Sequence, residues 1–116
     1  MRGIFLDDER LFEDVTWVKY PENVEWRTVR THYEFIIAIE NNDFDIVSFD
    51  HDIQSYNDDD VEVTGLHLLK WMLSYYYETG KKLPQIYFHT MNSIGKRNME
   101  AYYNNFVNFY NKEWEK

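Results

Sequence analysis

Short apolar runs that stop abruptly at polar residues set the rhythm of this chain. Gly3–Leu6 ends at Asp7-Asp8, Phe44–Phe49 ends at Asp50-His51-Asp52, and Gln85–His89 is a further β-rich run ending at His89-Thr90. Each reads as a buried strand whose carboxyl end emerges into chemistry. Glu25–Arg30 alternates and is rich in Val, Thr and Trp, which predicts a further strand at a sheet edge. Between these lie helical signals. Thr31-His32-Tyr33-Glu34 has the form of a capping box, so a helix is expected through about Asn42 with Phe35, Ile36 and Ile39 inward. Thr64-Gly65 opens a second helix carrying Leu66, Leu69, Leu73 and Tyr76 at spacings of three and four, closed by Gly80, Lys81, Lys82 and Pro84. Asn92–Gly95 leads into a third, with Met99, Tyr102, Phe106, Phe109 and Tyr110 on one face. Leu11–Val24, interrupted by Pro21, has no clean period and predicts an irregular or single-turn segment, and the acidic stretch Gln54–Val63 reads as a loop.

Strands alternating with helices predict an α/β fold with a mostly parallel sheet of about four strands. In such sheets ligands sit outside the carboxyl ends of the strands. A parallel arrangement therefore gathers Asp7, Asp8, Asp50, His51, His89 and Thr90 at one edge, although they are far apart in sequence. With 116 residues, 44% of them hydrophobic, the chain suits one core, and we expect a single domain over residues 1–116.

Composition narrows the function. There is no cysteine, which excludes disulfides, thiolate metal sites and a cysteine nucleophile. The net charge of −9, from 21 acidic against 12 basic residues, argues against a protein that coats a long nucleic-acid duplex. The opening Met-Arg-Gly-Ile-Phe-Leu-Asp-Asp fits neither a signal peptide nor a membrane span, so a cytoplasmic location and no membrane partner are expected. The 4 Trp, 10 Tyr and 8 Phe point to a bulky core with a Tyr-rich rim before they point to a base-stacking surface.

Carboxylates that converge without a cation raise one another's pKa and destabilise a fold. Asp7, Asp8 and Asp50 thus form a candidate site for a hard divalent ion, Mg²⁺ or Mn²⁺, with positions left open for phosphate oxygens. Solvated turn residues are the plain alternative, and for Asp58-Asp59-Asp60 that plain reading is preferred. His51 and His89 are candidate proton donors near neutrality, with hydrogen-bonded structural roles as the alternative. His32 and His67 fall within helices and receive no role. Thr90, the amides opening the helix at Asn92–Gly95, Arg10, Lys96 and Arg97 are candidate phosphate contacts, the first two equally readable as helix caps.

Leu6-Asp7-Asp8-Glu9-Arg10, Phe49-Asp50-His51-Asp52, Thr64-Gly65 with Leu69 and Trp71, and His89-Thr90-Met91-Asn92-Ser93-Ile94-Gly95 with Met99 resemble, in order, the motifs of the cyclic-phosphate-processing receiver-like family. The resemblance implies a small three-layer receiver-like, flavodoxin-like fold. It also implies Mg²⁺ held by Asp7, Asp8 and Asp50 beside a phosphoryl group, and processing of cyclic phosphates in RNA repair, nucleotide-derivative metabolism or conflict systems, phage-encoded ones included. Phe49 stands where the family usually has Leu, Ile53-Gln54 follows where it has Gly nearby, and Ser93 stands where it has Pro. The fifth receiver strand with its phosphate-contacting lysine is not expected after the last helix, which disfavours phosphorelay signalling.

The expected activity is a metal-dependent opening of a cyclic phosphate on a small nucleotide-like or ADP-ribose-like molecule or an RNA end. Asp50, His51 and His89 are its candidate catalytic residues, and Arg10, Thr90, Asn92 and Lys96 its candidate phosphate contacts. Asp50 is read either as metal ligand or as nucleophile. Two other classes stay open: a module that sequesters a nucleotide-like messenger, and a degenerate receiver used for protein interaction. The partner expected is a small phosphate-bearing ligand, and the pattern carries no reading of oligomeric state.

Overall fold

A computed structural model describes residues 1–115, with side chains through residue 112. Four strands form one parallel sheet: β1 (Arg2–Leu6), β2 (Glu25–Val29), β3 (Ile46–Phe49) and, after the second helix, β6 (Gln85–Phe88), in the order β2-β1-β3-β6. The register sets Leu6 beside Val29 and Phe49, and Phe49 beside Phe88, so the strand ends are level. Helices α1 (His32–Asn41), α2 (Gly65–Thr79) and α3 (Ser93–Glu115) follow β2, the acidic loop and β6 respectively. Among the described residues, no helix is long and apolar enough to cross a membrane.

The strand order explains where the helices lie. From β1 the chain moves outward to β2, then returns past β1 to β3 and on to β6. Right-handed crossovers place connections running in opposite directions on opposite faces. The crossovers through α1 and α2 run the same way, so both helices cover one face. There Ile4, Leu6, Val29, Val47 and Phe49 pack with Phe35, Ala38 and Ile39 of α1 and Leu68, Leu69, Met72, Leu73 and Tyr76 of α2. Met99, Tyr102 and Phe106 of α3 join the same cluster.

The alternate strand residues point the other way, and the β1–β2 connection covers them without an α-helix. Its only regular piece is a 3₁₀ turn, Phe12–Asp14. Coverage comes from aromatic side chains instead. Phe12 stacks on Trp26 at 5.6 Å, and Tyr20 meets Trp26 at 4.9 Å and Tyr87 at 5.3 Å. Phe5 lies fully buried against Trp26 and His89. The aromatic content is thus mostly spent on two core layers, as composition suggested. The receiver-like α/β fold is present, its third layer built from an irregular segment.

Local expectations meet the structure with several refinements. At α1, Thr31 Oγ1 accepts from the Glu34 amide at 3.2 Å, but Glu34 reaches the Thr31 hydroxyl and not its backbone, so the box is half closed. His32 is buried there and its Nδ1 pairs with Ser55 Oγ. The acidic stretch is not wholly loop: β4 (Ser55–Tyr56) and β5 (Glu62–Val63) pair as a small antiparallel hairpin. Phe109, expected on the inner face of α3, is 49% exposed, its ring lying 5.7 Å from that of Tyr77 near the end of α2. His67 does find a role, accepting the Thr64 amide at 3.0 Å as part of the α2 cap.

Candidate functional site

β1 and β3 are neighbours from which the chain departs in opposite directions, the one toward β2 and the other toward β6. Such a switch point leaves a crevice beyond the strand ends. Asp7 follows β1 and Asp50 follows β3, both buried, and His89 follows β6 with no exposure at all. One donor atom from each of Asp7, Asp50 and His89 lies within 4.8 Å of the others. These residues could hold a metal ion.

Asp7 is held from several sides. Its Oδ1 accepts the Glu9 and Arg10 amides at 2.9 and 2.8 Å, and its Oδ2 takes His89 Nε2 at 3.0 Å. The Arg10 guanidinium stands 3.5 Å away, and Arg30 clamps the turn by donating to the carbonyls of Asp7 and Arg10. Burial alone would push the Asp7 pKa up, yet the His89 bond and the two amides outweigh it and bring it down to about 2. Asp50 goes the other way. Burial and the adjacent negative charge of Asp7 raise its pKa, against the bonds from the Thr90 side chain and the His51 amide. One carboxylate is thus stabilised as an anion and its neighbour is left short of positive charge. A metal ion held by this donor set would supply the positive charge that Asp50 lacks.

Asp8 lies outside that trio. It is half-buried, its pKa raised by burial, and with Asp50 it lines a polar cleft of about 230 Å³ whose walls include Arg10, Asp52, Gln54, Thr90, Met91 and Asn92. Of the candidate phosphate contacts, Arg10, Thr90 and Asn92 border the cleft, whereas Lys96 sits a turn into α3 and does not line it. Asn92 is largely committed to shaping the loop. Its Oδ1 accepts the Gly95 amide at 3.0 Å and its Nδ2 donates to Asp52 at 2.8 Å, while its own amide donates to Thr90 Oγ1. The opening of α3 is therefore capped by Asn92.

The two histidines differ in what they can reach. His89 is fully enclosed, with Nε2 on Asp7, Nδ1 on Ser48 Oγ at 2.7 Å and its ring stacked on Phe5 at 4.2 Å. It acts on Asp7 and not on the cleft. His51 pairs its Nδ1 with Asp52 Oδ1 at 2.9 Å. Among the described residues no buried side-chain nitrogen or oxygen lacks a partner, so its unpaired Nε2 reaches solvent. Burial raises the Asp52 pKa, but its bonds from Asn92 and His51 lower it further, keeping it an anion against the ring. Two glycines make room for this edge. A Cβ at Gly65 would fall 1.9 Å from the Asp50 carbonyl oxygen, and one at Gly95 would fall 2.5 Å from His51 Cγ.

Sequence reasoning missed Tyr20, Ser48, Trp17 and Arg30. Ser48 did carry a signal, being the one hydroxyl inside the apolar strand Ile46–Phe49. Trp17 had none: its indole N–H donates to the His89 carbonyl at 2.8 Å across 72 positions of chain.

Compared with known families, residues 2–105 match the cyclic-phosphate processing Receiver domain. Neither the curated proteins nor the solved structures gave a match.

Proposed function

Because the chain belongs to the cyclic-phosphate processing Receiver domain family, we propose that its cleft binds a small nucleotide-like cyclic phosphate and opens the ring by hydrolysis. The observation that carries the reading is the convergence of buried Asp7 with Asp50, which lines a polar cleft. Asp7 and Asp50, with Asp8 at the rim, would hold Mg²⁺ or Mn²⁺. Such an ion would supply Lewis acidity toward a phosphodiester oxygen and positive charge to offset what develops at phosphorus.

The chain's own groups do the rest. Arg10 offers the phosphate a charge-assisted donor from the cleft wall, and Thr90 offers a hydroxyl beside Asp50. Water attacks phosphorus while giving a proton to Nε2 of His51, whose Nδ1–H Asp52 accepts on the far side of the ring. One ring P–O bond breaks, and the departing oxygen takes that proton back from Nε2. His89, enclosed as it is, serves Asp7 and leaves the proton transfer to His51. The resulting monoester leaves through the open side of the cleft.

Incubation with Mg²⁺ or Mn²⁺ and a panel of 2′,3′-cyclic nucleotides and ADP-ribose cyclic phosphate, resolved by phosphorus NMR, tests the reading. Conversion to a monophosphate is expected, lost with chelator and reduced roughly 10²–10⁴-fold in His51→Ala with metal uptake retained. A phosphorylated Asp50 trapped during turnover would make that carboxylate the nucleophile. One observation favours a second reading. Trp17 is 44% exposed, with the Arg10 guanidinium over its ring at 5.4 Å and Arg10 Nη2 reaching Met91 Sδ. An exposed aromatic ring beside the cleft-lining Arg10 and Met91 suits a ligand ring, so tight binding without turnover would assign the protein to messenger sequestration.

A further inference from the structure

Beneath the site, four side chains from four separate segments form a single hydrogen-bonded file. Tyr20 OH lies 2.6 Å from Ser48 Oγ, Ser48 Oγ lies 2.7 Å from His89 Nδ1, and His89 Nε2 lies 3.0 Å from Asp7 Oδ2. Ser48 and His89 have no exposure and Asp7 has 1%. A buried hydroxyl in the middle of a strand costs free energy unless it is bonded, and here Ser48 is bonded on both sides.

The chemistry of each member fixes the direction of the next. An ionised Asp7 has no proton to give, so the hydrogen of the last link is on His89 Nε2. A neutral ring with its proton there presents a bare lone pair at Nδ1, and Ser48 must donate to it. The Ser48 oxygen then accepts, and the phenol of Tyr20 is the group that donates. Burial raises the Tyr20 pKa to about 12, so it keeps that hydrogen throughout the neutral range. The stacked ring of Phe5 and the Trp17 bond to the His89 carbonyl hold the imidazole in place.

We infer that Tyr20 and Ser48 are positioning residues for the metal-binding carboxylate: through one fixed tautomer of His89 they hold Asp7 in register with Asp50. The inference rests on the metal site proposed above and deepens it. Partners behind a ligand are worth roughly 10–100-fold in metal affinity. A serine that merely filled space in the sheet would contribute to folding and leave that affinity alone.

Two measurements on the full chain separate these roles. Nitrogen-15 NMR of labelled histidine in the metal-free protein reads the His89 tautomer, and Mn²⁺ titration followed by electron paramagnetic resonance reads affinity. We expect a protonated Nε2 and a bare Nδ1 in the parent, unchanged on saturation with Mg²⁺. Ser48→Ala should weaken Mn²⁺ binding roughly 10–100-fold and disturb the tautomer, with Tyr20→Phe shifting both in the same direction by less. Tyr20→Phe keeps the ring contacts with Trp26 and Tyr87, so it remains readable if Ser48→Ala fails to fold. A parent ring protonated at Nδ1, or an Nε2 that loses its proton to bind Mg²⁺, overturns the inference. Variants matching a metal-binding parent in affinity and tautomer overturn the inference alone. A parent that takes up no Mn²⁺ overturns the reading of the site, and the positioning role falls with it.

Discussion

Asp7 and Asp50 are the same residue type at equivalent strand ends, yet their surroundings push them apart. Asp7 has gained partners and carries a depressed pKa, so its stabilising effect is present above about 3.8 and is lost as the pH falls toward about 2. Asp50 has a raised pKa, so its effect has the opposite sign: favourable while protonated, lost as the pH rises. At neutral pH the metal-free protein thus bears an uncompensated cost at Asp50. Asp50→Asn is expected to raise the metal-free melting midpoint at pH 7 and to abolish the upward shift that millimolar Mg²⁺ gives the parent. Asp7→Asn is expected to lower the midpoint at pH 7, by an amount that shrinks toward pH 2. Thermal melts with chelator and with Mg²⁺ across that range check both, and an Asp50→Asn protein still responding to metal would remove Asp50 from the ligand set.

The same pair shows what a sequence discloses at this scale. Acids at strand ends were legible because strand and helix periods are local. The division of labour between them was not, because it depends on His89 and Thr90 arriving from 82 and 40 positions away. Gln54 is a smaller instance. It adopts φ 49°, a left-handed backbone that favours glycine, close to where the resembling family places one. The Ile53-Gln54 departure therefore keeps the turn while giving up the residue best suited to it.

Helices and loops around the site were read well where periodicity was strong and less well where a few residues decided the outcome. α2 begins at Gly65 as Thr64-Gly65 suggested, and the steric reason is the 1.9 Å approach to the Asp50 carbonyl. Gly95 allows α3 to pass over His51 in the same way. Gly95→Ala is expected to leave the fold intact, since alanine favours a helix by roughly 1 kcal/mol over glycine, while displacing the imidazole. Turnover should then fall toward the level of His51→Ala, with Mn²⁺ affinity unchanged; full activity would detach His51 from the chemistry. The acidic loop is a different case. Its hairpin is tied to α1 by the Tyr33 hydroxyl on Asp58 and by His32 on Ser55, contacts no local pattern discloses. Asp58, Asp59 and Asp60 are exposed and are not among the residues lining the cleft. Converting all three to Asn should leave metal affinity within a few-fold of the parent by titration, and a hundredfold loss would place the loop among the ligands.

Across the whole molecule the two faces of the sheet are built differently. Three helices shield one, with i to i−4 backbone bonds and a continuous apolar cluster. The other depends on residues 7–24, which hold to the sheet through side chains: Trp17 on the His89 carbonyl, Tyr20 on Ser48, Phe12 on Trp26. Alternation of strands and helices foretold the sheet and the gathering of its strand ends, while the cover on this second face has no repeating pattern to announce it. Its consequence appears in amide hydrogen exchange. A segment with few internal backbone bonds opens at lower free energy than the elements it covers, so amides of residues 11–23 should exchange well before those of β3 and α2 in a time course read by mass spectrometry. That segment continues directly from Arg10, which lines the cleft, and sets the Trp17 ring under the Arg10 guanidinium. Anything seated against Asp7 and Arg10 binds only the closed form and should slow exchange there selectively, leaving the helical face unchanged. The wall that meets the ligand is thus also the layer that breathes.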